Sequence, residues 1–179
     1  MVRVDKRATL DILQTLDSYL EEYERRFPIY LMGGSALVLR GEQEDSKDAD
    51  FITNSNGYLA LGEAVKRLER ERGIRIDRFK DGQIISYRYE DYYLRAEKIS
   101  GLRLKHIDVY VLDFVDIILT KALAGRRQDI DKILELKKRG IIAPRDELER
   151  RFKKVIPYKG KEKEINTRFQ NFLKAYYAD

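Results

Sequence analysis

The sequence predicts an α/β (α+β) fold in which a small mixed β-sheet is flanked by helices and followed by a helical C-terminal half. Three observations support this prediction. Helical and strand patterns alternate over residues 6–72, a period of two begins at Ile74, and helical periodicity dominates from Phe114 onward. Alternation of this kind favours a sheet with helices packed against its faces.

The elements of the first half follow from apolar spacing and from residues that interrupt helices. Leucines at helical spacing indicate the first helix, and Pro28 ends it because proline lacks a backbone N–H. A Gly-Gly-Ser turn opens the second helix, and a charged loop precedes the next strand. The expected elements are a helix at 6–26, a strand at 29–32, a helix from 33 to 40, a strand at 49–53 and a helix at 58–72.

The second half begins with strands and ends with helices. Asp81-Gly82 has the chemistry of a hairpin turn, and Gly125, Gly140 and Pro157 separate the later helices. Residues 1–112 are expected to form a core that includes the N-terminal helix, and residues 113–179 are expected to form a helical region packed on it. The boundary falls near Asp113, and the two parts form either two domains or one compact domain. The expected strands are 74–79, 84–89, 94–99 and 106–112, and the expected helices are 114–124, 128–138, 145–155 and 165–176.

Composition excludes several classes of protein. The chain has no cysteine and one histidine, so disulfides and a zinc site are not expected, and any metal must be held by oxygen ligands. No apolar run is long enough to span a membrane, and residues 1–10 do not resemble a signal peptide, so we expect a cytoplasmic protein. The charged fraction of 37% resembles that of proteins from thermophiles.

Positive charge is concentrated in the C-terminal half. Residues 126–163 contain fourteen Lys or Arg and seven Asp or Glu, which is a surplus of seven. This asymmetry predicts a polyanionic partner. An exposed, solvated helix surface is the alternative explanation.

Three aspartates and a glycine turn form the candidate catalytic site. The turn Gly33-Gly34-Ser35 can hold phosphate on backbone N–H groups, and Asp48 and Asp50 point to one face of a strand because side chains there alternate. Asp108 lies on a later strand between apolar neighbours. If these strands are adjacent, three carboxylates converge, and one or two divalent cations would relieve their repulsion.

This arrangement resembles the polymerase-β-like nucleotidyltransferase superfamily. Residues 112–140 are similar to the helical region of minimal bacterial and archaeal members related to type IV abortive-infection toxins. In that group a lysine is followed eight residues later by an aspartate, as Lys121 is by Asp129, with Gly and Arg126 between them. A second aspartate is usual just beyond, where this chain has Lys132 and places Asp131 one position earlier.

The resemblance implies a role for each candidate residue. Gly33, Gly34 and Ser35 would form the nucleotide-binding turn, with Gly34 and Ser35 on the phosphates. Asp48, Asp50 and Asp108 would hold Mg²⁺ or Mn²⁺, and Asp108 would help to activate the attacking hydroxyl. Lys121 would reach the triphosphate, and Asp129 would orient Lys121 or Arg126.

The implied activity is transfer of a nucleoside monophosphate from a nucleoside triphosphate, such as ATP, with release of pyrophosphate. The acceptor is a hydroxyl of RNA, for example a tRNA end, or of a protein. A toxin–antitoxin component with an antitoxin partner is one form of this prediction. The alternative is a catalytically inactive nucleic-acid-binding or scaffold module that keeps the fold.

Overall fold

The structure is a computed structural model that describes residues 3–178, in which the chain forms two units. Unit 1 comprises the residues up to Gly82 together with Arg95–Leu112, and unit 2 comprises Gln83–Leu94 together with the residues from Asp113 onward. Unit 2 therefore includes a segment, residues 83–94, that the sequence prediction assigned to the core. Within residues 3–178, no helix has the length and hydrophobicity needed to cross a membrane.

Helices and strands alternate in unit 1 and helices dominate unit 2, as expected for a mixed α/β chain. Up to Lys80 the elements are β1 Val4–Asp5, α1 Lys6–Ser18, β2 Phe27–Met32, α2 Gly33–Leu39, β3 Asp45–Ser46, β4 Asp48–Thr53, α3 Ser55–Arg72 and β5 Arg75–Lys80. The later elements are β6 Gln83–Ile84, β7 Tyr87–Tyr89, a 3-10 helix Tyr92–Leu94, β8 Glu97–Lys98, β9 Ile107–Val111, α4 Phe114–Ala124, α5 Arg127–Lys138, α6 Arg145–Phe152, β10 Val155–Pro157 and α7 Glu162–Tyr176.

The sheet of unit 1 places β4 and β9 on opposite sides of β2. Its strand order is β5-β4-β2-β9-β8, with β2 antiparallel to β4 and parallel to β9, and β4 parallel to β5. One face is apolar and buried, and it carries Ile29, Leu31, Phe51, Ile76 and Val109. The opposite face carries the aspartates of interest, because side chains alternate along each strand.

Helix α3 covers the apolar face of this sheet. Its first turn is capped by Asn54, whose side chain accepts a hydrogen bond from Gly57 N, and it ends at Gly73 in the left-handed conformation. A Cβ placed on Gly57 would lie 2.2 Å from Thr53 Oγ1 and 3.4 Å from Phe27 Cβ. This close approach fixes α3 on the face opposite the aspartates.

The segment after α1 differs from the predicted helix at 6–26. The helix ends at Ser18, and the residues at both ends of the following segment hold the loop before β9. Asp17 accepts hydrogen bonds from the backbone N–H groups of Lys105, His106 and Ile107. Arg26 donates to the carbonyl oxygens of Leu104, Lys105 and Ile107.

Unit 2 also differs from the prediction in its strands. The expected strand at 84–89 is split into β6 and β7, and the expected helix at 145–155 stops at Phe152. The residues that follow form β10, which pairs antiparallel with β7 and places Val155 opposite Tyr89. Pairing between segments so distant in sequence leaves no local signal in a three-residue strand.

A buried charge cluster joins the elements of unit 2. Arg151 of α6 is 8% exposed and donates to Asp113, to Asp116 and to Glu147. Asp116 is fully buried and also accepts a hydrogen bond from the Tyr89 hydroxyl. The cluster connects the start of α4 with α6 and β7, so each buried charge has a partner of opposite sign or a hydrogen bond.

We predict that Arg151→Met destabilises the protein by about 3–5 kcal/mol, because it leaves the buried Asp116 carboxylate without its cation. Urea unfolding followed by circular dichroism measures this change. The matched control is Arg150→Met, since Arg150 pairs with Glu147 on the exposed side of the same helix. Its cost should be about 1 kcal/mol or less. Equal losses for the two variants would contradict the assignment.

Candidate functional site

A glycine turn begins α2 directly beside the first carboxylate. Gly33 has φ +61°, a conformation that favours glycine, and a Cβ at this position would lie 2.7 Å from Asp50 Oδ2. Met32 provides no side-chain cap for the helix. The backbone of the turn therefore approaches the Asp50 carboxylate more closely than any other residue type would allow.

The next two residues of the turn are held by the strands around them. A Cβ on Gly34 would lie 2.1 Å from Ser46 Oγ, and Ser46 in turn contacts Asp48 Oδ1 at 3.4 Å. Ser35 is fully buried, and its hydroxyl donates to Met32 O at 3.0 Å and lies 3.4 Å from both backbone polar atoms of Asp50. The Ser35 hydroxyl thus joins the turn to β4.

Three carboxylates share one face of β4 and β5. Asp48 and Asp50 alternate with the buried Ala49, and Asp50 lies directly opposite Asp77 on the parallel strand β5. Arg75 lies opposite Asp48 and donates to Asp77 Oδ2 at 2.9 Å. The hydrogen bond and charge of Asp77, together with the charges of Asp48 and Asp50, raise the pKa of Arg75 above its usual value.

Asp108 does not join these residues, and the predicted convergence of Asp108 with Asp48 and Asp50 is wrong. Asp50 is level with Met32 on β2, whereas Asp108 is level with Pro28 on the other side of the same strand. Four residues of strand separate these levels by about 13 Å. The N–H of Leu112 donates to Leu31 O, which extends the pairing of β2 with β9 by one residue. The buried Leu112 is therefore the β9 residue that is level with Asp50.

Two cations hold Asp108 where it is. Arg26 donates to Asp108 Oδ1 at 3.0 Å and Lys98 Nζ lies 2.8 Å from the same oxygen. The hydrogen bond from Arg26 lowers the pKa of Asp108 and outweighs burial, and Lys98 lowers it further. Tyr110, two residues along, stacks on Tyr30 with ring centroids 4.9 Å apart. Asp108 therefore anchors the strand ends through ion pairs.

The carboxylates beside the turn are the right type of ligand for a cation that prefers oxygen, but they are not arranged to hold one. Across residues 3–178, no group of three or more metal-ligating side chains is positioned to hold an ion. Asp77 is turned to Arg75, which supplies positive charge next to the carboxylates. Because Gly33 has no Cβ, its backbone lies directly beside Asp50 Oδ2. Carboxylate oxygens such as those of Asp48, Asp50 and Asp77 are the type of ligand that Mg²⁺ and Mn²⁺ prefer.

Asp77 is the residue that the sequence analysis missed. A signal for it exists: the first strand after α3 reads Arg75-Ile76-Asp77, with the apolar residue in the middle. A strand–helix–strand connection normally gives parallel neighbours. That rule would have placed Asp77 beside Asp50 ahead of the more distant Asp108.

The second group of predicted residues lies in unit 2 and forms a buried ion-pair network. Lys121 Nζ, on α4, donates to Asp129 Oδ1 at 2.7 Å, and Arg126 Nε donates to Asp129 Oδ2 at 2.6 Å. The Lys121 and Asp129 side chains are 7% and 6% exposed. Asp129 therefore contacts both cations, whereas the resemblance implied that it orients Lys121 or Arg126.

Neighbouring residues set the geometry and charge of this network. Burial raises the pKa of Asp129, but the charge and hydrogen bond of Lys121, with those of Arg126, outweigh it, so this pKa lies below its usual value. Gly125 ends α4 with φ +68°, and the Arg168 side chain crosses it, with Nε 2.8 Å from the position of a Cβ. Asp131 is exposed and lies 4.0 Å from Arg127.

Comparison with known proteins gives one family. A family described as nucleotidyltransferase of unknown function (DUF6036) matches residues 7–176. No match to a curated protein was found. The crystal structure of an antigenic nucleotidyltransferase-like protein from Paracoccidioides brasiliensis is similar at 12% identity, over 97% of this chain and 91% of that chain, with a TM-score of 0.49. A similarity at this level supports no conclusion about function.

We predict that Gly33→Ala costs more stability than Gly73→Ala, although both glycines have nearly the same positive φ. Backbone strain of about 1–2 kcal/mol is common to both variants. Only Gly33→Ala adds a clash with Asp50, because nothing lies within 4 Å of a Cβ on Gly73. Thermal unfolding of the two variants isolates that clash. Equal melting temperatures would show that Asp50 does not approach the turn.

We predict that part of the protein's stability depends on ionised Asp129. Because its pKa is lowered in the folded state, this contribution is present above the unfolded pKa of about 3.9 and is lost as pH falls through the folded value. Unfolding free energies of wild type and Asp129→Asn should therefore converge as pH decreases below about 4. The exposed Asp131→Asn is the control and should parallel wild type. A constant difference for Asp129→Asn at every pH would contradict this linkage.

Proposed function

Since the chain belongs to the nucleotidyltransferase family of unknown function (DUF6036), we propose that it transfers a nucleoside monophosphate from a nucleoside triphosphate to a hydroxyl group, in a reaction dependent on Mg²⁺ or Mn²⁺. Pyrophosphate leaves as the new phosphodiester bond forms. Such a transfer needs positioning and charge neutralisation and no covalent enzyme intermediate. The absence of cysteine is therefore compatible with it.

The observation that carries this proposal is the placement of Asp48, Asp50 and Asp77 on one face beside the Gly33 turn, with Asp50 level with Asp77. The three carboxylates lie on one face of two hydrogen-bonded strands, and the turn reaches Asp50 only because Gly33 has no Cβ. A phosphate bound at the turn would thus lie next to the carboxylates.

The residues of unit 1 take distinct roles in this proposal. Asp48 and Asp50 would hold the cation, which when bound neutralises charge on the phosphates of the nucleotide. Asp77, freed from Arg75, orients the attacking hydroxyl and accepts its proton. The Ser35 hydroxyl keeps the turn and β4 together through its contacts with Met32 and Asp50. The turn contributes its backbone N–H groups.

Lys121, Arg126 and Asp129 are proposed as nucleotide-binding residues on the strength of the family resemblance. Their geometry within unit 2 supports this role in one respect. Burying a lysine without an ion-pair partner carries a large free-energy cost, and Asp129 Oδ1 provides this partner at 2.7 Å from Lys121 Nζ. The other oxygen of Asp129 accepts a hydrogen bond from Arg126. The carboxylate thus fixes the positions of two cations.

RNA is the acceptor that we propose, with a protein hydroxyl as the alternative. The surplus of seven positive charges in residues 126–163 favours a polyanion, because phosphate contacts dominate the affinity of RNA-binding surfaces. A role as the toxin of a toxin–antitoxin pair follows from the resemblance alone.

A second candidate function is a nucleic-acid-binding or scaffold module without catalysis. It is favoured by Arg75, which neutralises part of the acidic cluster, and by the lack of a ready metal-ligating group within residues 3–178. The two candidates differ in whether a divalent cation binds in place of Arg75. Titration with Mn²⁺ in the presence and absence of a nucleoside triphosphate separates them.

We predict that Asp77→Asn and Asp50→Asn each reduce transfer from a labelled nucleoside triphosphate to RNA by about 10²-fold or more, since each removes a charge from the reacting site. Asp108→Asn is the matched control because its carboxylate is held by Arg26 and Lys98 away from the turn. It should retain transfer within about tenfold of wild type. Product formed per unit time with each nucleotide, in Mg²⁺ and in Mn²⁺, is the measurement.

The outcome that would refute the site is equal activity of wild type and Asp77→Asn together with a large loss in Asp108→Asn. Melting temperatures of all three variants show whether a loss reflects unfolding. Absence of transfer to RNA combined with transfer to protein would keep the site and change the acceptor.

A further inference from the structure

A cavity of about 530 Å³ lies in unit 1 at the edge of the sheet formed by β8 and β9. Its walls come from the start of α1, the end of α2, strand β8 and the loop 99–102. The side chains that matter to its chemistry are Lys6, Leu10, Arg40, Glu97, Lys98 and Val111. Cavities of 300–1,000 Å³ are typical of small-molecule sites.

This cavity is distinct from the acidic site. Val111 is level with Leu31 on β2 and with Glu97 on β8, so it belongs to the face of the sheet opposite Asp50. Strand β9 also lies on the other side of β2 from β4. A ligand in the cavity would therefore contact neither the glycine turn nor the carboxylates beside it.

The lining of the cavity is positively charged, and its arginine is weakly paired. Three cations, Lys6, Arg40 and Lys98, face one acid, Glu97. Lys98 is engaged with Asp108 at 2.8 Å, whereas Arg40 has a long contact of 3.4 Å with Glu97. The Arg40 side chain is 24% exposed, so its guanidinium is accessible to a ligand.

Apolar walls complete the cavity on the side away from Arg40. Leu10 and Leu39 are half-buried, and Val111 is buried. A simple inorganic anion would leave this apolar surface uncovered. A ligand with both an anionic group and a hydrophobic body can accept hydrogen bonds from the guanidinium and at the same time cover the two leucines.

We propose that this cavity binds a small amphipathic anion, with its phosphate or carboxylate group on Arg40 and its hydrophobic body against Leu10 and Val111. The guanidinium has five N–H donors, so it binds the anion through its terminal N–H groups and still contacts Glu97. Lys6, at the rim, adds long-range attraction. Residues 99–102 line the cavity beside the ligand.

Titration calorimetry on the full chain tests this proposal with three probes: phenyl phosphate, inorganic phosphate and benzoate. A chelator is present throughout, so that no divalent cation recruits phosphate to the acidic site. We expect phenyl phosphate to bind wild type about tenfold or more tightly than inorganic phosphate, because only the former covers the apolar wall. Tighter binding of phenyl phosphate than benzoate assigns a phosphate ligand, and the reverse order assigns a carboxylate.

Matched variants locate the binding. Arg40→Gln should weaken phenyl phosphate binding about tenfold or more, and Lys6→Gln should weaken it less. Arg70→Gln, at an exposed arginine on α3, and Asp50→Asn should leave the affinity unchanged. If Arg40→Gln does not fold, two other measurements test the proposal. One is the loss of phenyl phosphate affinity in Lys6→Gln, and the other is protection of the amides of residues 99–102 from hydrogen exchange when phenyl phosphate binds wild type.

Three results would overturn the proposal. The first is no binding of any probe to wild type at millimolar concentration, and the second is equal binding to wild type and a folded Arg40→Gln. The third is a loss in Asp50→Asn as large as that in Arg40→Gln, since it would place the anion at the acidic site.

Discussion

The approach of the Gly33 backbone to the Asp50 carboxylate is the constraint on which the site of unit 1 depends. A Cβ at Gly33 would lie 2.7 Å from Asp50 Oδ2, so the end of β2, the start of α2 and the middle of β4 must be placed together. The Ser35 hydroxyl reinforces this placement by contacting Met32 O and the backbone of Asp50. The buried face of the sheet, covered by α3, supports these elements from behind. The arrangement of the carboxylates on one face of the sheet thus depends on packing on the other face.

Features set by neighbours in sequence could be predicted from the sequence. The turn at Gly33, the common face of Asp48 and Asp50, and helix α4 all depend on spacings of a few residues. The pairing of Lys121 with Asp129 followed from a family pattern, and both side chains prove to be buried. The mixed α/β class follows from the same periodicities, because each element must cover its apolar side.

Features set by strand register could not be predicted in this way. Asp108 lies between the apolar residues Ile107 and Val109, whereas Asp77 lies between Ile76 and Arg78, so the local pattern favoured Asp108. Only the strand pairing shows that Asp77 is level with Asp50 and that Asp108 is level with Pro28. One cation on Asp108, Arg26, lies 82 residues earlier in the sequence. Strand β10 was missed for a similar reason, because its partner β7 is more than sixty residues earlier.

The alignment of β5 with β4 has a consequence for how the family can tolerate length changes. Inserting or deleting one residue between Gly73 and Arg75 would shift the alternation of β5, bury a carboxylate against α3 and turn Ile76 outward. An insertion of two residues would keep the faces but bring Arg75 alongside Asp50 in place of Asp77, and a deletion of two would bring Phe79 there. The spacing from the end of α3 to Asp77 therefore determines both which residues pack against α3 and which charge lies beside Asp50.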